Sequence, residues 1–199
     1  MKIKRFKQSS FFMEICEKNV YFDPYGIPEG EIPADVILIS HSHSDHYSKS
    51  AVQNIFTEDT ILLAPKSCSE ILERWKGTPM TPGDKTNYNG LNIEAVPMYT
   101  QGFIRKFFHN RKKNLCGYIL SDDSKRIYHA GDSDFIPEMK NLKDITIACL
   151  PIGGFFTMNS DNALEVIKIL RPKIFIPMHQ LRTDLEEFKE DAVSELKGT

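Results

Sequence analysis

Ile39-Ser-His-Ser-His-Ser-Asp-His-Tyr47, written ISHSHSDHY, gathers three of the chain's six histidines and one aspartate into six consecutive positions. It follows the apolar run Ala34–Ser40 (ADVILIS), which reads as a short buried strand, so the cluster sits where that strand opens into a loop. A polar surface loop is the plain alternative. Imidazoles crowded this closely pack poorly unless they share a cation, and neutral imidazole is a common ligand of borderline divalent metals. On a strand, residues 41 and 43 face one way, whereas Asp45 and His46 diverge. The spacing therefore suits two ligands for one ion and two for a neighbour.

Working outward, the first third alternates loosely through IKRFKQSSFFMEI, and NVYFDPY turns at Asp23-Pro24. After the cluster we expect a helix over residues 48–56 and a strand in TILLAP. A second helix should run from about Lys66 to Trp75, with Ser67 and Glu70 forming a capping box. Residues 81–100 carry Pro-Gly and Asn-Gly turn signals around a strand, and GYILSDDSKRIYHAGD reads as a hairpin ending at Gly131-Asp132. DITIACLPIGG is a further buried strand. SDNALEVIKILRP is a helix with Ser160 as its N-cap, KIFIPMHQ is the last strand, and a polar helix over about 184–196 closes the chain. Two halves of similar size follow, without linker or repeat. The expected architecture is two mixed β-sheets packed face to face with helices outside, in one domain over residues 1–199.

Bulk properties bound the function. With 199 residues the chain can bury a full core without a staple. Its 25 Lys plus Arg against 27 Asp plus Glu give a formal charge of -2, which excludes a global basic field and makes nucleic acid an unfavoured partner. Cys16, Cys68, Cys116 and Cys149 form no CxxC pair, and the N-terminus lacks a long apolar segment. Reduced thiols, a cytoplasmic location and no membrane insertion are expected.

A metal pair needs ligands from elsewhere, and Asp132 in YHAGDSD and His179 in IPMHQ both stand where an apolar run meets a loop. With these residues in view, the chain resembles the metallo-β-lactamase-fold superfamily over nearly its whole length. The HxHxDH signature is matched at His41, His43, Asp45 and His46. FDPY, YHAGDSD, LPIGGFFTM and IPMH resemble recurrent blocks of its small stand-alone hydrolase-like members, including the ascorbate-6-phosphate lactonase-like and phosphodiesterase-like branches.

The resemblance implies an αβ/βα four-layer sandwich. It also implies that His41 and His43 bind a first metal, Asp45, His46 and His179 a second, and that Asp132 bridges the two. Many members carry another first-metal histidine directly after the strand corresponding to IEAVPM, where this chain reads Met98-Tyr99-Thr100. His109 resembles the displaced histidine that some members place on the following loop. His129, by contrast, reads as an orienting or packing residue.

The activity so implied is metal-dependent hydrolysis of a small, anionic ester, lactone or phosphodiester. Two divalent ions, Zn2+ before Mn2+ or Fe2+, would activate a hydroxide, with Asp45 and Asp132 as the catalytic carboxylates. Tyr99, Arg105 and Lys106 are the candidate substrate contacts. The latter two belong to the loop Arg105 to Lys113, which carries Arg105, Lys106, Arg111, Lys112 and Lys113 interleaved with Phe103, Phe107 and Phe108. Gly153 and Gly154 permit a close passage of the backbone near the metals. A nuclease, a redox or metal-sensing module and a non-catalytic binding protein are the competing classes. Nothing in the sequence sets an oligomeric state.

Overall fold

The computed structural model describes residues 1–102, 107–181 and 183–197. Among the described residues twelve strands form two six-stranded sheets. The first contains β1 (Lys2–Arg5), β2 (Phe11–Ile15), β3 (Lys18–Phe22), β4 (Val36–Leu38), β5 (Ile61–Pro65) and β6 (Thr78–Met80), in that spatial order. The second runs β12-β11-β10-β9-β8-β7, from β7 (Lys85–Tyr88), β8 (Leu91–Pro97), β9 (Cys116–Ser121), β10 (Arg126–His129), β11 (Ile147–Pro151) and β12 (Ile174–Met178). Antiparallel pairs join β1 to β3 and β7 to β10, while β3 to β6 and β10 to β12 are parallel, so both sheets are mixed.

Strand periodicity builds the layers. Phe11, Met13, Val20, Phe22, Val36 and Leu38 point into one apolar cluster together with Ile93, Ala95, Tyr118 and Leu120 of the opposite sheet. The alternate residues Phe12, Tyr21, Ile37 and Leu62 point the other way, beneath α1 (Lys49–Gln53) and α2 (Ser69–Trp75), where Ala51, Val52 and Ile71 meet them. On the far side α3 (Ser160–Leu170) buries Ala163, Val166 and Ile167, and α4 (Leu185–Lys197) buries Phe188 and Ala192. The architecture is the expected one: two mixed sheets with helices outside.

Local details depart from expectation at helix starts. The Ser67–Glu70 capping box does not form. Cys68 takes the N-cap position without a side-chain cap, because its amide first closes a turn onto the Pro65 carbonyl at 2.8 Å and its thiol turns into the core. Asn159, not Ser160, caps α3, its side chain accepting from the Asn162 amide at 2.9 Å. Helix α1 ends at Gln53, three residues early. The Asn-Gly signal holds, since Asn89 and Gly90 both take positive φ, 48° and 92°, as a tight hairpin between twisted strands requires. Among the described residues no helix is long and apolar enough to cross a membrane.

One side chain laces the two sheets at a shared margin. Arg5 of β1 donates to the Pro177 carbonyl of β12 at 3.2 Å and to the Gln8 carbonyl at 3.1 Å, and it also meets the Gln180 side chain.

Candidate metal centre

Parallel strands point their carboxyl ends to one rim, and loops leaving that rim are where open α/β sheets bind ligands. Here β4 delivers His41, His43, Asp45 and His46, β10 delivers Asp132, and β12 delivers His179. His109 arrives differently, on the loop between β8 and β9. The Thr100 amide donates to the His109 carbonyl at 3.0 Å, which folds that loop back over the end of β8.

Three imidazole nitrogens converge. His41 Nε2 lies 3.1 Å from His43 Nδ1, and His109 Nε2 lies 3.3 Å from each of them. However protons are assigned to three mutually close nitrogens, at least one pair must face lone pair to lone pair or N–H to N–H. A cation at the centre removes that repulsion. Zinc–nitrogen bonds in tetrahedral array would separate such nitrogens by about 3.3–3.4 Å, close to what is found.

A second group adjoins the first. His179 Nε2 lies 3.2 Å from Asp45 Oδ2 and 3.4 Å from Asp132 Oδ2, while His46 Nε2 lies 3.1 Å from Asp132 Oδ1 and 4.0 Å from Asp45 Oδ2. Asp132 Oδ2 is also 3.9 Å from His41 Nε2 and 3.7 Å from His109 Nε2, so this one carboxylate stands between both groups. His46 Nε2 and Asp132 Oδ1 are fully buried and neither makes a hydrogen bond. Buried polar atoms left so are costly, and a shared cation is the partner that satisfies both. The donor set therefore fits bound metal.

Electrostatics divide the imidazoles into two sets. Burial pushes His109 down to about 4 and His41 well below the usual imidazole range, and it lowers His43 too, so these three present neutral lone pairs at pH 7. Burial also opposes charge on His46 and His179. There the carboxylates win, Asp132 and Asp23 raising His46 and Asp45 and Asp132 raising His179. The hydrogen bond from His179 holds Asp45 well below the ordinary carboxylate range. Asp132 is lowered against its own burial by His46, His179 and His109, so both acids stay ionised.

Behind the ligand atoms lies a residue that motif reading did not single out. The buried Asp23 carboxylate accepts from His46 Nδ1 at 2.8 Å, from the Ser40 amide at 2.7 Å and from Ser40 Oγ at 2.7 Å, and Ser40 Oγ lies 2.9 Å from His41 Nδ1. One acid thus orients two imidazoles so that their Nε2 atoms face the centre. The signal was present in FDPY, since an acid in a strand-end turn just upstream of the histidine cluster has a buried partner to find.

Backbone geometry carries part of the cost. Asp23 and His179 both hold left-handed φ, 43° and 47°, conformations that cost about 1 kcal/mol or more for residues with a Cβ. Two glycines admit close approaches. A Cβ at Gly131, beside Asp132, would fall 2.5 Å from Met98 Sδ, and one at Gly153 would fall 2.3 Å from the His179 carbonyl oxygen.

Other candidates are placed elsewhere. Tyr99 does not line the hollow beside the ligands. Its hydroxyl donates to Glu138 at 2.9 Å, Arg111 holds the same carboxylate at 2.7 Å, and the Arg111 guanidinium lies over the Tyr99 ring at 5.0 Å. With its hydroxyl on Glu138 and Arg111 over its ring, Tyr99 braces the loop that carries His109. Arg105 and Lys106 lie outside the described residues. His129 packs, stacked on Phe22 at 4.7 Å with its Nε2 2.9 Å from the Ser9 carbonyl oxygen.

The chain is similar to known proteins over most of its length. Residues 2–179 match the profile of the beta-lactamase superfamily domain. The chain is 32% identical to a UPF0173 metal-dependent hydrolase of Thermoplasma acidophilum, covering 89% of this chain and 85% of the relative. It is also 32% identical to one of Nanoarchaeum equitans, covering 96% and 92%. Among solved structures, a Parabacteroides distasonis protein superposes with a TM-score of 0.88 at 35% identity, over 95% of this chain and 86% of that one. Igni18, a metallo hydrolase from Ignicoccus hospitalis, superposes with 0.79 at 26% identity, over 96% and 90%.

Proposed function

Since the chain belongs to the beta-lactamase superfamily and, within it, to the UPF0173 metal-dependent hydrolases, we propose that its clustered ligands hold two divalent ions and that it hydrolyses a small ester, lactone or phosphodiester. The first ion would take His41, His43 and His109, the second Asp45, His46 and His179, with Asp132 shared. The observation that carries this reading is the division of the Asp132 carboxylate, whose oxygens lie within 4 Å of ligand nitrogens from both groups. Imidazole-rich donors support Zn2+ as the native ion.

When bound, such a pair supplies a nucleophilic water at neutral pH and Lewis acidity at the substrate's oxygen. The chain's own residues do the positioning. Asp45, partly exposed at the hollow, would hold the second ion with His46 and His179 and present carboxylate oxygen to the side from which water enters. Buried Asp23 keeps His46 and His41 aimed inward through the reaction. Arg111 of the adjoining loop is committed to Glu138. Four unpaired cysteines support residence in a reducing compartment, the cytoplasm.

The test is metal content per chain by plasma mass spectrometry beside hydrolysis of an ester, lactone and phosphodiester panel, for the parent and for Asp132→Ala. About two ions per chain and measurable hydrolysis, both lost in the variant, are expected. Parent protein with unchanged metal content on losing Asp132 would sink the shared-ligand assignment.

A further inference from the structure

The hollow in front of the ligands, about 250 Å³, is lined by His43, Ser44, Asp45, His109, Asp132 and His179 on its floor and by Phe108 and Phe156 on its wall. Phe156 also lines a neighbouring hollow of about 550 Å³, whose other walls are Gly153, Phe155 and Leu181. The two spaces therefore share one aromatic ring as a common wall. The rings stack edge to face, Phe108 on Phe156 at 4.7 Å and Phe155 on Phe156 at 4.5 Å. Yet the outermost, Phe155, is 66% exposed and Leu181 is 46% exposed.

These residues have no duty in the core that would explain them. Leaving large apolar side chains in water forgoes stabilisation, and contiguous exposed apolar surface marks a place of binding. Nor is their exposure the slack of a loose loop. Gly153 bridges to Asn159, the Gly154 amide donates to the Met158 carbonyl and the Met158 amide to the Ser133 carbonyl, so the segment is pinned at both ends. Gly154 turns its tip with φ +82°, and Asn159 anchors it to α3. The turn holds Phe155 and Phe156 outward at a set distance from Asp132 and His179.

We propose that this second hollow is a substrate subsite for an apolar group of aromatic size, attached to the bond that the metal centre cleaves. Resting on the hydrolase reading above, this narrows the substrate class to an ester, lactone or phosphodiester bearing a phenyl-like arm. A compact substrate without such an arm would leave the aromatic wall wet. Edge-to-face packing against Phe155 and Phe156 and contact with Leu181 recognise the arm.

The test uses two chelators that differ only in that arm, acetohydroxamate and phenylacetohydroxamate, titrated calorimetrically into protein of measured metal content. The parent should bind the phenyl compound tighter by at least about tenfold, the worth of burying one ring face. In Phe155→Ala, whose exposed position makes the fold indifferent to the change, that preference should shrink at least about threefold. Leu181→Ala should shrink it too, with metal content at the parent value. Equal affinity of the parent for both chelators, or a preference untouched by both substitutions, overturns the subsite while leaving the metal-dependent hydrolase standing. Failure of metal-loaded parent to bind either chelator overturns the accessible two-ion centre and the subsite with it.

Discussion

Asp23 and His46 are 23 positions apart in sequence, and a 2.8 Å hydrogen bond joins the carboxylate of one to Nδ1 of the other inside the protein. That bond selects the imidazole tautomer whose free nitrogen faces the centre. Through Ser40 the same acid also steadies His41. Asp23→Asn tolerates the left-handed backbone but weakens both links. Metal affinity should fall about 10- to 100-fold with little change in fold, measured by competition with a chromogenic chelator. An affinity within twofold of the parent would remove Asp23 from the site.

His109 reaches the centre on a loop, so its loss should be local. In His109→Ala the bound metal should drop by about one ion per chain, leaving the group of Asp45, His46 and His179 loaded. Retention of both ions would return His109 to a packing role.

Gly153→Ala places a Cβ within 2.3 Å of the His179 carbonyl oxygen and near Leu181. The backbone must shift, and overpacking of this sort costs about 1–3 kcal/mol. Thermal unfolding of the variant should occur several degrees lower, with affinity for the second ion reduced because His179 moves. An unchanged melting temperature would contradict the contact.

His129 gives a pH dependence. Burial lowers its pKa below the ordinary value against the opposing pull of Asp23 and the Ser9 carbonyl. The unfolded chain therefore takes up this proton near pH 6.5 while the folded chain resists it, so stability from this group is complete above about pH 6.5 and declines as pH falls. In His129→Gln the loss of urea stability between pH 7.5 and 5.5 should be smaller than in the parent, by about 1 kcal/mol. Parallel losses in both proteins would count against a neutral, buried His129.

The thiols offer a check on burial. Cys68, Cys116 and Cys149 are buried, and burial pushes each up to about 12, whereas Cys16 is partly exposed. In native protein at pH 8 a disulfide reagent should titrate about one thiol, and Cys16→Ser should abolish that reaction. Rapid labelling of a second cysteine would show that a sheet face opens.

Much of the site was legible because its chemistry is local. His41, His43, Asp45 and His46 sit within one turn of chain, and Asp132 and His179 each follow an apolar strand, so residue type and place agreed. Strand alternation likewise foretold the two sheets, because Phe11–Ile15 and Lys18–Phe22 face cores on both sides with period two. What stayed hidden depends on distant partners. Nothing near Tyr99 in sequence announces Glu138, and nothing near Phe156 announces Phe108. The failed Ser67–Glu70 cap has the same origin, since burial of Cys68 outweighed a local preference.

The Arg5 clasp has a practical side. Because its guanidinium grips Pro177 and Gln180, on either side of His179, β1 works as a strut for the segment that carries that histidine. Trimming the chain through residue 5, or crowding β1 with a fused partner, would be felt at the second ion's site. Fusions intended to leave that site intact belong beyond α4.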